Sequence, residues 1–189
     1  PSTGNSAVYT VPVNTISGNG TIRLDKANTA VTDVAGNAGT NTFTTGEVYD
    51  VDNLNPTLTL TVPAASSSVN TANVTYTLSE DLSAGAITWT RTAGPAGNFT
   101  ATLTGSELTS GTKTNIILTN APALNNGATY TVALNGSDLA TNAGSASTNT
   151  LVVFDNAAPN FTATAPVTSA TVSNANVSFT PSETLTSGS

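Results

Sequence analysis

Cysteine, histidine and methionine are missing from all 189 residues, and each absence closes a chemistry. Without thiols there are no disulfide staples and no cysteine nucleophile. Without imidazole there is no histidine acid–base catalysis and no Cys/His zinc site. Any metal bound here must accept oxygen ligands. Positive charge is almost missing too: Arg23, Lys26, Arg91 and Lys113 are the only cations against eleven acids, for a net charge of −7. Phosphate binding is dominated by Lys and Arg, so nucleic acid is excluded as a partner and cations are favoured. No window is continuously apolar for the ~18 residues that a membrane span needs. No signal sequence is visible either, although a window from inside a longer chain would not contain one. Sustained helical periodicity is also lacking.

What the chain does have is a repeat. Residues 52–86 lie over residues 155–189 without a gap, at a constant offset of 103, with 16 of 35 positions identical. The shared positions fall into physical classes. Asp52/Asp155, Asn53/Asn156 and Pro56/Pro159 form a polar, proline-stiffened connector. Thr59/Thr162, Thr61/Thr164 and Pro63/Pro166 belong to a first strand and its end. Ala72-Asn73-Val74 and Ala175-Asn176-Val177 open a second, and Ser79-Glu80 and Ser182-Glu183 begin the loop after it. A unit of about 100 residues is domain-sized. The expected organisation is the C-terminal part of one repeat at 1–54, a complete repeat at 55–155 and the N-terminal part of another at 156–189, a window on a longer array.

Hydrophobic residues at 38% suffice for cores, while charged residues are only 8%. Thr, Ser, Asn, Ala and Gly make up most of the remainder, which suits sandwiches with hydroxylated outer faces. Residues 7–13, 20–25 and 41–50 read as strands of the first unit, with a tight polar loop at Asp33–Asn37. In the complete unit, Leu58, Leu60 and Val62 alternate with threonines, and Val74, Tyr76 and Leu78 repeat the pattern. Further strands are marked by Ile87 and Trp89; by Phe99, Ala101 and Leu103; by Ile116 and Leu118; by Tyr130, Val132 and Leu134; and by Leu151 and Val153. Seven short strands with turns between them predict an all-β chain of tandem immunoglobulin-like β-sandwiches. Trp89 is expected at the centre of the core, with Tyr130 near it.

Topology then places the acids. In such a sandwich the first strand starts at the end to which the loops after the second and sixth strands return. Asp50 and Asp52 in the connector, Glu80 and Asp81 in one loop and Asp138 in another are therefore predicted to converge where the first unit meets the second. Asp155 and Glu183 repeat this at the next joint, and Asp33 falls at the far end of the first unit. Clustered carboxylates repel unless a cation sits among them, and Ca²⁺ accepts six to eight oxygens from such sets. One Ca²⁺ is expected near Asp52, Glu80 and Asp138, with Asp50, Asn53 and Asp81 as further ligands. Asp and Asn are also ordinary turn residues that bond their own backbone, so a metal-free turn-and-linker role accounts for the same residues.

Thr32-Asp33-Val34-Ala35-Gly36-Asn37-Ala38, followed by Phe43-Thr44-Thr45-Gly46-Glu47-Val48-Tyr49-Asp50-Val51-Asp52-Asn53 and Pro56, resembles the end of tandem bacterial Ig-like domains in very large surface adhesins. Residues 74–93, with Tyr76-Thr77-Leu78-Ser79-Glu80 and Thr88-Trp89-Thr90-Arg91-Thr92, resemble the front half of a related module. The resemblance implies an extracellular, secreted or surface-attached stalk, calcium-stiffened in some cases, whose partners are neighbouring Ig-like repeats. The second loop departs from the first at Thr141, which stands where the other has Gly36, and is expected to be less tight.

Other readings are weaker. Glu80 and Asp81 are paired carboxylates, but a connector loop offers no pocket to separate their pKa values, so no enzyme is expected. Six Asn-x-Ser/Thr sequons arise readily in a chain rich in Asn and Thr. The Thr57-x-Thr59-x-Thr61 row has the spacing of water-ordering arrays, yet sandwich strands twist. A carbohydrate-binding module would need an aromatic platform, and aromatics are 5% of the chain. The alternative to a stalk is a filament subunit, residues 158–189 of one chain completing residues 1–52 of another by strand addition.

Overall fold

Alternating apolar and hydroxylated residues become strand. The computed structural model describes residues 13, 16–27, 31–174 and 176–185. The strands are β1 (Gly20–Arg23), β2 (Val48–Val51), β3 (Leu58–Val62), β4 (Ser68–Val69), β5 (Val74–Leu78), β6 (Leu82–Ala93), β7 (Phe99–Thr102), β8 (Gly111–Ile116), β9 (Ala128–Asp138), β10 (Ser147–Phe154), β11 (Phe161–Ala165) and β12 (Ser178–Pro181). One short 3-10 turn, Gly105–Leu108, precedes β8. The strand expected at 7–13 falls outside the described residues except for Val13. The one expected at 41–50 is confined to β2, with a single bridge between Lys26 and Phe43 before it.

Residues 58–154 form a two-sheet sandwich. One sheet has the order β3-β5-β8, the other β4-β10-β9-β6-β7. All pairings are antiparallel except β4 with β10, which run parallel with Ser68 opposite Val153. The inward faces make one core from Leu58, Leu60, Val74, Tyr76, Leu78, Ile87, Trp89, Tyr130, Val132 and Leu134, among others. Trp89 is fully buried, and its ring meets Tyr130 edge to face at 5.9 Å and 87°. That geometry suits the aromatic quadrupole.

The two departures from alternation have local causes. Leu151 and Val153 mark the last strand in the sequence, but the core residues there are Val152 and Phe154, and Leu151 is 60% exposed. A bulge between Asn149 and Val152 inserts a residue, with Leu151 at φ +57°. One extra residue moves every following side chain to the other face. Val62 is likewise more exposed than Leu58 and Leu60, because the β3–β5 register shifts between Leu60 and Val62.

The 3-10 turn buries a carboxylate that composition does not flag. Glu107 accepts hydrogen bonds from the Thr104 and Thr119 amides, at 2.7 and 2.6 Å, while its carbonyl accepts from the Tyr76 hydroxyl at 2.7 Å. Burial pushes the Glu107 carboxyl up, but these amides outweigh it and hold it below its ordinary value. Burial, with Glu107 nearby, pushes the Tyr76 hydroxyl up to about 12.

The offset of 103 seen in the sequence recurs as geometry. β11 and β12 pair antiparallel as β3 and β5 do. The Thr57 amide donates to the Ser79 hydroxyl at 2.9 Å, and the Asn160 amide to Ser182 at 2.9 Å. Asp52 Oδ1 accepts from the Leu54 amide at 3.0 Å, and Asp155 Oδ1 from Ala157 at 3.1 Å.

Candidate metal centre at the Asp52–Glu80–Asp138 end

Strand register brings the carboxylates together. Leu58 pairs with Leu78, so the connector before β3 lies beside the loop that leaves β5, where Glu80 sits. Leu82 pairs with Asp138 across β6 and β9, which sets the end of β9 two residues from Glu80 along the neighbouring chain. One carboxylate oxygen from each of Asp52, Glu80 and Asp138 lies within 4.8 Å of the other two.

Each acid is held differently. Asp138, 1% exposed, ends β9 in a closed turn. Its Oδ1 accepts from the Asn142 amide and its Oδ2 from Asn142 Nδ2, both at 2.8 Å. Burial acts to raise its pKa, but Asn142 and the turn amides win and keep it low. Asp52 Oδ1 accepts from Asn19 Nδ2 at 2.8 Å as well as from Leu54. Glu80 has the weakest support: partial burial, then the charges of Asp52 and Asp138, push its carboxyl up. The described residues contain one ion pair, Arg23 with Asp25, and it lies outside this cluster.

Asn142 and Asn19 are not among the ligands expected from the sequence, yet they orient the carboxylates and the connector. Asn142 Nδ2 also donates to the Asp52 carbonyl at 3.0 Å. The Asn53 amide donates to Asn19 Oδ1 at 2.8 Å, and Asn53 Nδ2 donates to the Gly18 carbonyl at 2.9 Å. Residues 18–19, the connector and the 138–142 turn thereby share one hydrogen-bond network. The signal for Asn142 was legible as an Asp-x-x-x-Asn spacing common to both loops. Asn37 contacts Asp33 by the same two 2.8 Å bonds, and these also lower the Asp33 pKa.

Thr141 does not loosen its loop as the sequence comparison predicted. It takes φ +74° where Gly36 takes +87°, and the backbone bonds closing the two turns match, Gly36 to Asp33 at 3.0 Å and Thr141 to Asp138 at 3.2 Å. A β-branched residue in that region is strained. Gly144 is required for a different reason: a Cβ there would come within 2.6 Å of the Pro56 carbonyl, so its absence lets the turn reach the connector.

Three of the expected ligands do not join the cluster. Asp81 follows the bend at Ser79–Glu80 and is engaged elsewhere: its Oδ1 accepts from the Ser110 amide at 2.7 Å. Asp50 is exposed on β2 opposite Thr21. The Asn53 side chain is engaged with Gly18. Asp155 and Glu183 do approach one another at the far end: burial first, then the Asp155 charge and hydrogen bond, raise the Glu183 pKa.

Ligand oxygens on one Ca²⁺ lie 2.3–2.6 Å from it, so two of them stand up to ~5.2 Å apart. The three carboxylates meet that condition. No helix among the described residues is long and apolar enough to cross a membrane. No curated protein and no solved structure matches the sequence. The bacterial Ig-like domain family matches residues 52–155, from the connector aspartate to the end of β10. That span holds the whole two-sheet sandwich with Trp89 at its centre, and the chain belongs to the bacterial Ig-like domain family.

Proposed function

We propose that this chain is a structural stalk or spacer segment of an extracellular bacterial adhesin, built of tandem Ig-like repeats and stiffened by Ca²⁺ held at Asp52, Glu80 and Asp138. Its work is mechanical: it sets a distance and limits bending. The observation that carries the reading is the shared network at the joint, in which Asn19, Asp52, Asn53 and Asn142 tie residues before the connector to the sandwich after it. A connector with no role in stiffness has no need of three converging carboxylates or of two asparagines to orient them. The recurrence of the connector geometry at Asp155 supports repetition of the unit, and the family match supports a bacterial surface setting. Asp52, Glu80 and Asp138 would supply the carboxylate oxygens, Asn142 would keep Asp138 and the Asp52 carbonyl in place, and the ion would offset the burial and the carboxylate repulsion that raise Glu80.

The test is calcium titration followed by thermal unfolding and small-angle scattering. Extracellular calcium modules bind at ~10⁻⁴–10⁻³ M, so 5 mM Ca²⁺ should add about 1–2.3 kcal/mol. The midpoint should rise by ~4–10 °C, and the maximum dimension should narrow in distribution as the joint stiffens. An unchanged midpoint and an unchanged scattering profile at that concentration would remove calcium from the proposal.

A further inference from the structure

We propose that the parallel seam between residues 60–69 and 147–155 is the mechanical clamp of the complete unit, the place where a pull on its two ends is resisted. The inference rests on reading the unit as part of a stalk, and it adds the residues that meet the load.

The seam joins the segment that enters the sandwich to the segment that leaves it. β3 starts at the end where Glu80 sits, since Leu58 pairs with Leu78. β10 sets out from that same end, because β9 finishes there at Asp138 and β10 runs antiparallel to it. The two segments therefore run side by side in one direction, and their contacts climb both together. The Leu60 amide donates to Ser147 Oγ at 2.8 Å. Asn149 Nδ2 donates to the Leu60 and Pro63 carbonyls at 3.1 and 2.8 Å. The Ser66 amide donates to the Thr150 carbonyl, the Val153 amide to Ser67 and the Asp155 amide to Val69, each at 2.9 Å. Ser68 and Val69 stand opposite Val153 and Phe154 in the one parallel ladder among the described residues.

Strand direction decides how this seam fails. A pull on the connector at Pro56 draws β3 back toward its start, while a pull beyond Asp155 draws β10 on toward its end, so the two slide lengthwise past each other. Hydrogen bonds between strands lie across that motion, and all six are strained together. An antiparallel pair at the same place would instead open from one end, bond by bond. The bulge in β10 serves the seam. Thr150 and Leu151 fall outside the ladder with β9, which resumes at Val152, and the Thr150 carbonyl is left to accept from Ser66. Leu151 takes φ +57° there, a strained conformation for leucine. Such strain persists only where the surroundings fix it, and the bonds at Asn149 and Thr150 before it and Val153 after it do so.

Single-molecule stretching of the whole chain tests the clamp, and the lack of native cysteine lets an introduced pair serve as the only handles. Asn55→Cys with Ala158→Cys pulls along the seam. Thr71→Cys with Ala158→Cys pulls across it, because Thr71 follows β4 and Ala158 follows β10 at the same end, so Val69 peels from Asp155 first. All three positions are exposed. The lengthwise pull should need roughly threefold more force, since six bonds rather than one or two carry it at a time. Asn149→Ala should lower the lengthwise force by about a third, two of the six bonds being lost. Ile87→Val, in the core but outside the seam, should lower the melting point and leave that force unchanged. Far-UV circular dichroism verifies that each variant is folded. Equal forces in the two directions, or an Asn149→Ala unit as strong lengthwise as wild type, overturns the clamp. So does an Ile87→Val loss as large as that of Asn149→Ala, because force would then follow overall stability. Every pull is made in chelator, which keeps the two readings apart. Equal forces in a chain that Ca²⁺ stabilises remove only the clamp, whereas a strong seam in a chain whose melting point ignores Ca²⁺ removes only the metal.

Discussion

Truncating Trp89 to alanine is the sharpest perturbation of this fold. The indole is fully buried between the two sheets and meets Tyr130 edge to face at 5.9 Å. Removing it forfeits the transfer free energy of a large aromatic group and leaves a cavity, ~3–5 kcal/mol together. An aromatic pair of this geometry contributes about 0.5–1.5 kcal/mol beyond burial, so the upper half of that range is expected. A domain of this size has ~5–15 kcal/mol in total, and at about 4 °C per kcal/mol the midpoint should fall by ~16–20 °C. Trp89→Phe is the informative control. Trp89 Nε1 is buried with no hydrogen-bond partner, and an unpaired buried donor costs ~1–3 kcal/mol. Phenylalanine removes that donor while keeping most of the ring, so its cost should stay under about 2 kcal/mol. Far-UV circular dichroism followed through thermal and urea unfolding reads both variants without relying on tryptophan emission. An alanine variant that melts where wild type does would refute the central placement of Trp89 and the sandwich built around it.

Glu80→Gln should raise the melting point of the metal-free protein at neutral pH and abolish its response to Ca²⁺. The sign follows from the raised Glu80 pKa: the folded state holds that proton more tightly, so stability is full below the ordinary value of 4.5 and declines as pH climbs through the higher folded value. Melting metal-free wild type and the variant side by side from pH 4 to 7 checks it, and a parallel decline in both would count against the repulsion. Asp33 and Asp138 act in the opposite sense, since their lowered values give stability that is present above the unfolded pKa and lost as pH falls through the folded one. Thr141→Gly should stabilise by roughly 0.5–1 kcal/mol in denaturant melts, because relief of the left-handed strain exceeds glycine's entropy cost. Gly144→Val should destabilise the sandwich and weaken Ca²⁺ binding together, as the 138–144 turn is driven off Pro56. Stretched by its ends, the complete unit should yield one discrete unfolding event releasing about 300 Å, from residues 58–154 at ~3.6 Å each less the folded length; gradual extension without a peak would argue against a mechanical role.

Local chemistry was enough for a good deal of this protein. Period-two alternation at Leu58–Leu60, Val74–Leu78 and Tyr130–Leu134 fixes strands because successive side chains of an extended chain face opposite ways. The offset of 103 marks equivalent positions whatever fold they adopt, and the strand order of the seven-stranded sandwich expected from the sequence then puts Asp52, Glu80 and Asp138 at one end, although the folded sandwich has an eighth strand, β4. Tertiary structure decided the rest. Whether Leu151 or Val152 enters the core depends on a bulge set by pairing with β9, which no window of sequence contains. Glu107 is buried because an amide from Thr119, twelve residues on, reaches one of its oxygens while the Thr104 amide holds the other. Asp81 leaves the cluster because Ser110, 29 residues on, offers it an amide. Asn19 enters because the turn before β1 folds back on the connector. Alternation and repetition are one-dimensional properties and can be read along the chain; which donor meets which acceptor is fixed only when segments distant in sequence close on one another.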